Sequence, residues 1–272
     1  GLQGAVAGVN ITIPTGEVGS DPLIKIRGQV GSISGNNTPL ILLDNVEIPS
    51  IQMVNPNDVQ SISVLKDAAS SSIYGSKAAF GVILITTKSG AQSDKFEISY
   101  SNNFSWQDPA KKIEIGGIEA LQYTLDAQTN RREPMPAGGF WRISPESLEK
   151  AIEWQNLYGG KVKWNDPVVY GRDWFYDGKD KYGYRLYDGA KAMIKNWTPT
   201  MTHNLSVNGK SGKTSYNIGL GYLDQSGMSK TAKKDDFKRY NASVSVTSEI
   251  NKYITVRASS IYSDRNKRYP GI

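Results

Sequence analysis

The chain has no cysteine and a single histidine among 272 residues. Thiol nucleophiles, disulfide staples and cysteine-based zinc sites are excluded, and a Ser-His-Asp arrangement would depend on His203 alone. That histidine lies in "TMTHNLSV", at the expected start of a strand with no acid beside it, which suits a surface position better than a general base. Long apolar runs are missing too: none approaches the ~18 residues of a transmembrane helix. Their absence excludes a helical membrane protein only, because a membrane β-strand carries apolar residues at every second position. Phosphate loops, HExxH and calcium-loop spacing do not occur, so no catalytic residue, metal or cofactor is assigned. The net charge of +6 is scattered except at "KTAKKDDFKR", 230–239, where acids interrupt the bases. A solvated loop accounts for that run, and no nucleic-acid partner is implied.

What the sequence does contain falls into two regions of different period. Residues 1 to about 90 carry short mixed elements. "AVAGVNIT" and "LIKIRG" read as strands, and "LILLDNVEI" as a hairpin whose Asp44 and Asn45 tolerate positive φ. Next come a strand over Val59–Leu65, Asp67 as a helix cap, a short helix over Ala68–Tyr74 stopped by Gly75, and a strand over Val82–Thr87. The run "VILIT" is apolar on both faces and is expected at the centre of a small sheet. With no signal peptide visible and strand at its start, the chain is expected to be an internal piece of something longer.

From Phe96 onward apolar and polar side chains alternate. Phe96, Ile98, Tyr100 and Phe104 share one face, Tyr216, Ile218, Leu220 and Tyr222 another, and Tyr240, Ala242, Val244 and Val246 a third, opposed mainly by Ser, Asn, Thr and Gly. In the last such segment Ser260 and Ile261 break the pattern. Strands of about nine to eleven residues with tyrosines near their ends suit a bilayer crossing at a tilt. On pattern alone a soluble antiparallel sandwich serves almost as well. Connection lengths favour the membrane: tight links at 209–213 and at Asn251-Lys252 alternate with a longer one at 224–238, like the short inner turns and long outer loops of a bacterial barrel. That parity makes 107–198 the first outer loop.

Three stretches decide between the readings: "PLIKIRG" (22–28), "TPLILLDNVEIP" (38–49) and above all "NPNDVQSISVLKDAASSSIYGSKAAFGVILITTKSG" (55–90). In order and spacing they resemble the plug domain of TonB-dependent outer-membrane transporters, and more narrowly the SusC/RagA family of Bacteroidetes. The signature falls on Arg27, Gly28, Asp44, Leu65, Lys66, Asp67, Tyr74, Gly75 and Gly81. Asn45 stands where the family has Gly, and Phe80 puts bulk where it has a small polar residue; a local packing change is expected there, with no change of function.

The resemblance implies a mainly β protein with a small α/β part: an N-terminal plug domain inside a large antiparallel transmembrane β-barrel, with only the first barrel strands in this chain. The expected domains are an N-terminally incomplete plug over 1–92 and the start of the barrel over 93–272, with the long extracellular loop at about 107–198. A barrel of about 22 strands has a lumen wide enough to leak, which a water-compatible plug fills. The implied function is non-enzymatic: TonB-dependent import of a large nutrient, oligosaccharide or oligopeptide, across the bacterial outer membrane. The implied partners are a SusD-like surface lipoprotein as lid, outer-membrane lipid, and the TonB complex acting through a segment upstream of Gly1. The alternative is a soluble carbohydrate-binding or carbohydrate-active β-protein. It draws on the tryptophans of the expected loop, of which Trp141, Trp154, Trp164 and Trp174 are the candidate substrate contacts, although aromatic loop cores explain them as well. A glycosidase would need a carboxylate pair, and among the loop acids, including Glu146, Glu149, Glu153, Asp166, Asp173 and Asp177, nothing singles out two.

Overall fold

The computed structural model describes residues 9–13, 17–26, 38–67, 71–90, 96–109, 116–130, 143–163, 165–179 and 181–269. The chain packs as two compact units: one of Gly1–Gln107, Trp197–Met228 and Ala232–Ile272, the other of Asp108–Asn196 with Ser229–Thr231.

The first unit opens with β1 (Val9–Thr12) paired antiparallel to β2 (Leu23–Ile26). A four-stranded sheet follows, made of β3 (Leu40–Leu43), β4 (Val46–Glu47), β5 (Val59–Leu65) and β6 (Val82–Thr87) in the order β4-β3-β6-β5. β6 runs parallel to β3 and antiparallel to β5. Its unbroken apolar, β-branched run has a physical cause: Ile83 and Ile85 enter a core with Ile24, Ile26, Leu43 and Val54, while Val82 enters a second core with Leu40, Leu42 and Ala78. Leu84 packs against that second core but is only partly buried.

The β3–β4 hairpin turns on Asp44 and Asn45, at φ 47° and 70°. Asp44 does more than tolerate the turn: its carboxylate accepts from the Thr87 amide at 2.9 Å and from the Thr87 hydroxyl, tying the hairpin to the end of β6. Of the expected helix over Ala68–Tyr74, Ser71 is α-helical, its amide bonded to the Asp67 carbonyl at 3.0 Å, and the chain continues as two 3-10 turns over Ser72–Ala78. They meet at a kink at Gly75 (φ 69°, ψ −156°), so this glycine bends the segment instead of ending a helix.

Five long strands complete the unit: β7 (Glu97–Gln107), then β10 (Thr198–Ser211), β11 (Thr214–Ser226), β12 (Asp236–Asn251) and β13 (Ile254–Arg268), all antiparallel in the order β13-β12-β11-β10-β7. They have 11, 14, 13, 16 and 15 residues, so all but β7 are longer than the pattern suggested. The extra length lies partly beyond the apolar rows, where Lys238 pairs with Asp224 and Arg268 with Asp236. Polar ladders can continue there in water.

Within the second unit, α1 (Ile118–Asn130) packs against α2 (Pro145–Tyr158), and β8 (Trp174–Tyr176) pairs with β9 (Lys181–Gly183) ahead of a short α3 (Gly189–Met193). α2 starts where the sequence directs it: the Ser144 hydroxyl accepts from the Ser147 amide and Pro145 occupies the first turn. Leu148, Ala151 and Trp154, spaced by three, form its buried face.

Candidate functional site

Burial on the five-stranded sheet runs opposite to that of a water-soluble protein. Asn217, Asn241, Ser243 and Ser245 are buried, whereas Ile218, Leu220, Val244 and Val256 are 38–51% exposed. A contiguous exposed apolar face over buried polar residues is the informative exception to hydrophobic-inside packing. The exposed face carries a row of rings across four strands. Phe104 of β7 meets His203 of β10 edge-on at 5.5 Å, His203 stacks on Tyr222 of β11 at 6.3 Å, and Tyr222 lies 5.0 Å from Tyr240 of β12. Tyr100 binds the His203 Nδ1 at 2.7 Å. The lone histidine is thus a member of an aromatic belt with no carboxylate to orient it, which matches its expected surface role.

The buried polar face is covered by residues 50–58. Two 3-10 turns, Ile51–Met53 and Pro56–Asp58, are capped by the Ser50 hydroxyl and the Asn55 side-chain Oδ1. Caps of this kind fix a short irregular segment without a helix or ladder. The segment meets the strands one after another. Asn57 Nδ2 donates to Ser101 Oγ of β7 at 3.1 Å, and Asn55 Nδ2 to Asn204 Oδ1 of β10 at 2.9 Å. From β12, Ser243 Oγ donates to Asp58 Oδ2, Asn241 Nδ2 to the Met53 carbonyl and Arg239 Nη1 to the Gln52 carbonyl, each at 2.8 Å. β11 contributes space: a Cβ at Gly219 would lie 2.5 Å from Asp58 Oδ1, and one at Gly221 2.7 Å from Asn55 Nδ2. The two glycines, one side-chain repeat apart, form a lane for the segment. Burial pushes the Asp58 carboxyl above its ordinary range, only partly opposed by the Ser243 hydrogen bond and by Lys88. Ile261 joins these contacts from β13, packing against the core of Ile24, Ile83 and Ile85. The break in alternation at Ser260-Ile261 is therefore a wall residue facing the plug core.

In the other unit, one carboxylate organises the fold. Asp173 is buried, accepting from Trp154 Nε1 at 2.9 Å, the Val169 amide at 2.8 Å, and Arg172 Nε and Nη2 at 3.0 and 2.7 Å, with Arg185 Nη1 3.6 Å away. The Arg172 hydrogen bonds above all hold its carboxyl far below the usual range, with the Val169 amide and Trp154 assisting against burial. An acid so fully paired is fixed as a carboxylate and is no proton donor.

Of the candidate tryptophans, Trp141 and Trp164 lie outside the described residues. Trp154 is buried with its N–H committed to Asp173, whereas Trp174 is half-buried, edge-on to Tyr170 at 5.1 Å and under the Lys181 ammonium at 5.5 Å. Of the signature residues, Arg27 and Gly28 also fall outside the description. Leu65 and Tyr74 pack on the second core; Asp67 accepts the Ser71 amide through its backbone carbonyl, and Lys66 is half-buried at the end of β5. Gly81 has φ 93°, and a Cβ there would lie 2.7 Å from Ile26 Cδ1, so the position needs glycine twice over.

Residues 1–82 match the model of the TonB-dependent Receptor Plug Domain family. The chain is 27% identical over 254 residues to the TonB-dependent receptor SusC of Bacteroides thetaiotaomicron, covering 90% of this chain and 20% of that protein. It is 31% identical over 238 residues to the TonB-dependent receptor P26 of Formosa agariphila, covering 85% and 20%. The structure of the RagAB peptide transporter superposes with a TM-score of 0.71 at 28% identity, over 98% of this chain and 28% of that one. The chain carries a TonB-dependent receptor plug domain and is similar to SusC/RagA-type TonB-dependent receptors over almost its whole length. It spans about a fifth of the length of these curated relatives. Residues 50–58 fall within the matched plug domain, and the long strands they sit on carry the exposed apolar face with its belt of rings. The family is non-enzymatic, which removes the carbohydrate-active alternative. Missed at the sequence level were Asn55, Asn57, Asp58, Gly219 and Gly221: "NPND" advertises a capped turn and "GLGYL" an alternation, but neither says that the two meet.

Proposed function

We propose that this chain supplies the plug and the first stretch of wall of an energised importer, which takes an oligosaccharide or oligopeptide across the outer membrane. The observation that carries the reading is the seated plug: a compact α/β domain held by side-chain hydrogen bonds to the polar face of strands whose other face is apolar. A passive pore has no use for a stopper fastened by many weak polar contacts. Such contacts exchange readily for water, so a pull from the TonB complex can release them one by one. A SusD-like lipoprotein is the expected lid, and the exposed Val168, Tyr170, Phe175 and Tyr176 of the Asp108–Asn196 unit offer it an apolar surface. A structural relative is named a peptide importer, which supports the oligopeptide half of this reading.

Topology is the testable core of the proposal. The connection from β7 to β10 faces the medium, and the Gly212-Lys213 turn between β10 and β11 faces the periplasm. Since the chain has no cysteine, single thiols at Lys163→Cys and Ser211→Cys in the full-length protein report cleanly. In intact cells of a strain lacking the lid, an impermeant maleimide should label position 163, and position 211 only after the outer membrane is permeabilised. Labelling of 211 but not 163 in intact cells would invert the topology and end the reading.

A further inference from the structure

At the end of the strands marked by Gln107 and Gln225, a cavity of about 460 Å3 lies between the plug and the wall. Its lining includes Glu17, Ser20 and Gln52 of the plug and Leu223, Phe237 and Arg239 of β11 and β12. Around it the wall presents three cations and the plug two carboxylates. Lys267 pairs with Glu17 at 2.9 Å and Arg265 with Asp21 at 3.7 Å. Arg239 is left over: among the described residues its guanidinium makes one hydrogen bond, to the Gln52 backbone carbonyl, and no ion pair. It also lies directly across the ladder from Arg265, a like charge. Among the described residues its Nε–H is enclosed without a partner, and so is the Gln52 Oε1, whose amide orientation is set by the bond from Nε2 to the Ser20 carbonyl. A guanidinium with no carboxylate of its own among the described residues, directly opposite a second guanidinium, is a place where an incoming anion is favoured.

We propose that this cavity receives a carboxylate of the imported molecule, with the Arg239 guanidinium as its counter-ion. A peptide C-terminus and a uronic acid both carry such a carboxylate. The inference rests on the import reading and names the substrate class for it: acidic at the end that meets the plug.

The test uses the native bacterium carrying the full-length transporter and its partners, fed a casein digest and a pectin digest. Each is an equal mixture of free acids and the same molecules with carboxyls capped as methyl amides. Mass spectrometry follows what disappears from the medium in a way that requires both TonB and this gene. Wild type should deplete acids over their capped forms by about tenfold or more, the scale of one charge-assisted hydrogen bond. The arm depleted, casein or pectin, tells peptide from glycan. Arg239→Gln should abolish the preference. Leu223→Glu should abolish it as well while leaving Arg239 on the Gln52 carbonyl, because position 223 faces Arg239 across the ladder and supplies an internal counter-ion. The inference is overturned if wild type takes up acids and capped forms alike or neither acid class, or if either variant keeps the preference. If nothing is depleted in a TonB- and gene-dependent way, the import reading itself falls.

Discussion

At the scale of single residues, the contact between plug and wall is decided by what is small and what is ionised. Gly219 leaves the room that Asp58 fills, so Gly219→Val forces atoms into a site where even a Cβ would sit 2.5 Å from Asp58 Oδ1. Overpacking of this kind costs about 1–3 kcal/mol. Full-length Gly219→Val should assemble its barrel yet seat its plug poorly, read as sensitivity to vancomycin, which the seated plug excludes. Unchanged resistance would move the plug off Gly219. Asp58 gives a pH signature. Its pKa is raised in the folded state, so the favourable contribution of its neutral form is complete below the ordinary value of 3.8 and is lost as pH rises through the higher folded value. Asp58→Asn keeps a neutral group at every pH. In the purified full-length protein it should flatten the fall in plug melting temperature above pH 3.8 and melt no lower than wild type at pH 7. A variant that melts lower and keeps the wild-type slope would show that the charge, not the neutral form, is what the wall accepts.

At the scale of elements, legibility follows the range over which a signal acts. β5, β6 and the Asp44-Asn45 turn stand where pattern places them, because a doubly apolar run and an Asp-Asn pair carry local instructions. Ile83→Asp should accordingly abolish plug folding, since it buries an unpaired carboxylate at a position 1% exposed. Protease resistance of the plug in the full-length protein would register the loss, and an intact, resistant plug would remove β6 from the centre of its sheet. The lane for residues 50–58 was not legible in the same way: Asn55 and Asn204 are 149 positions apart, and nothing local to either names the other. Ile261 reads as noise in an alternating strand until the plug core is beside it. Trp154 illustrates the opposite error, for a tryptophan in a loop suggests a sugar platform, whereas here it closes over Asp173. Removing that hub's charge takes from Arg172 and Arg185 the buried carboxylate they share. Asp173→Asn should therefore open the Asp108–Asn196 unit to protease at neutral pH. In wild type the same contribution is present above 3.8 and lost as pH falls toward the depressed folded value, so an acid titration of protease resistance should show wild type approaching the variant.

At the scale of the molecule, the decisive fact is that among the described residues β7 and β13 each have a ladder on one side only. Each edge presents a row of N–H and C=O groups, and the exposed face beside them, with Ile98, Leu220, Val244 and Val256, is apolar. In water that face drives association, and in a bilayer the edges cannot stand, because hydrocarbon offers their backbone groups no partner. The plug does not relieve this: its contacts are to the polar face, and it pairs with neither edge. Expressed alone, residues 1–272 should aggregate or, after limited proteolysis, yield the plug without its strands. The full-length protein, if its strands close the sheet into a barrel as in its much longer relatives, should run as a heat-modifiable, membrane-inserted species. A monodisperse, membrane-inserted form of the 29.9 kDa segment would show that five strands suffice. The outward apolar face would then need an explanation other than lipid around a closed barrel.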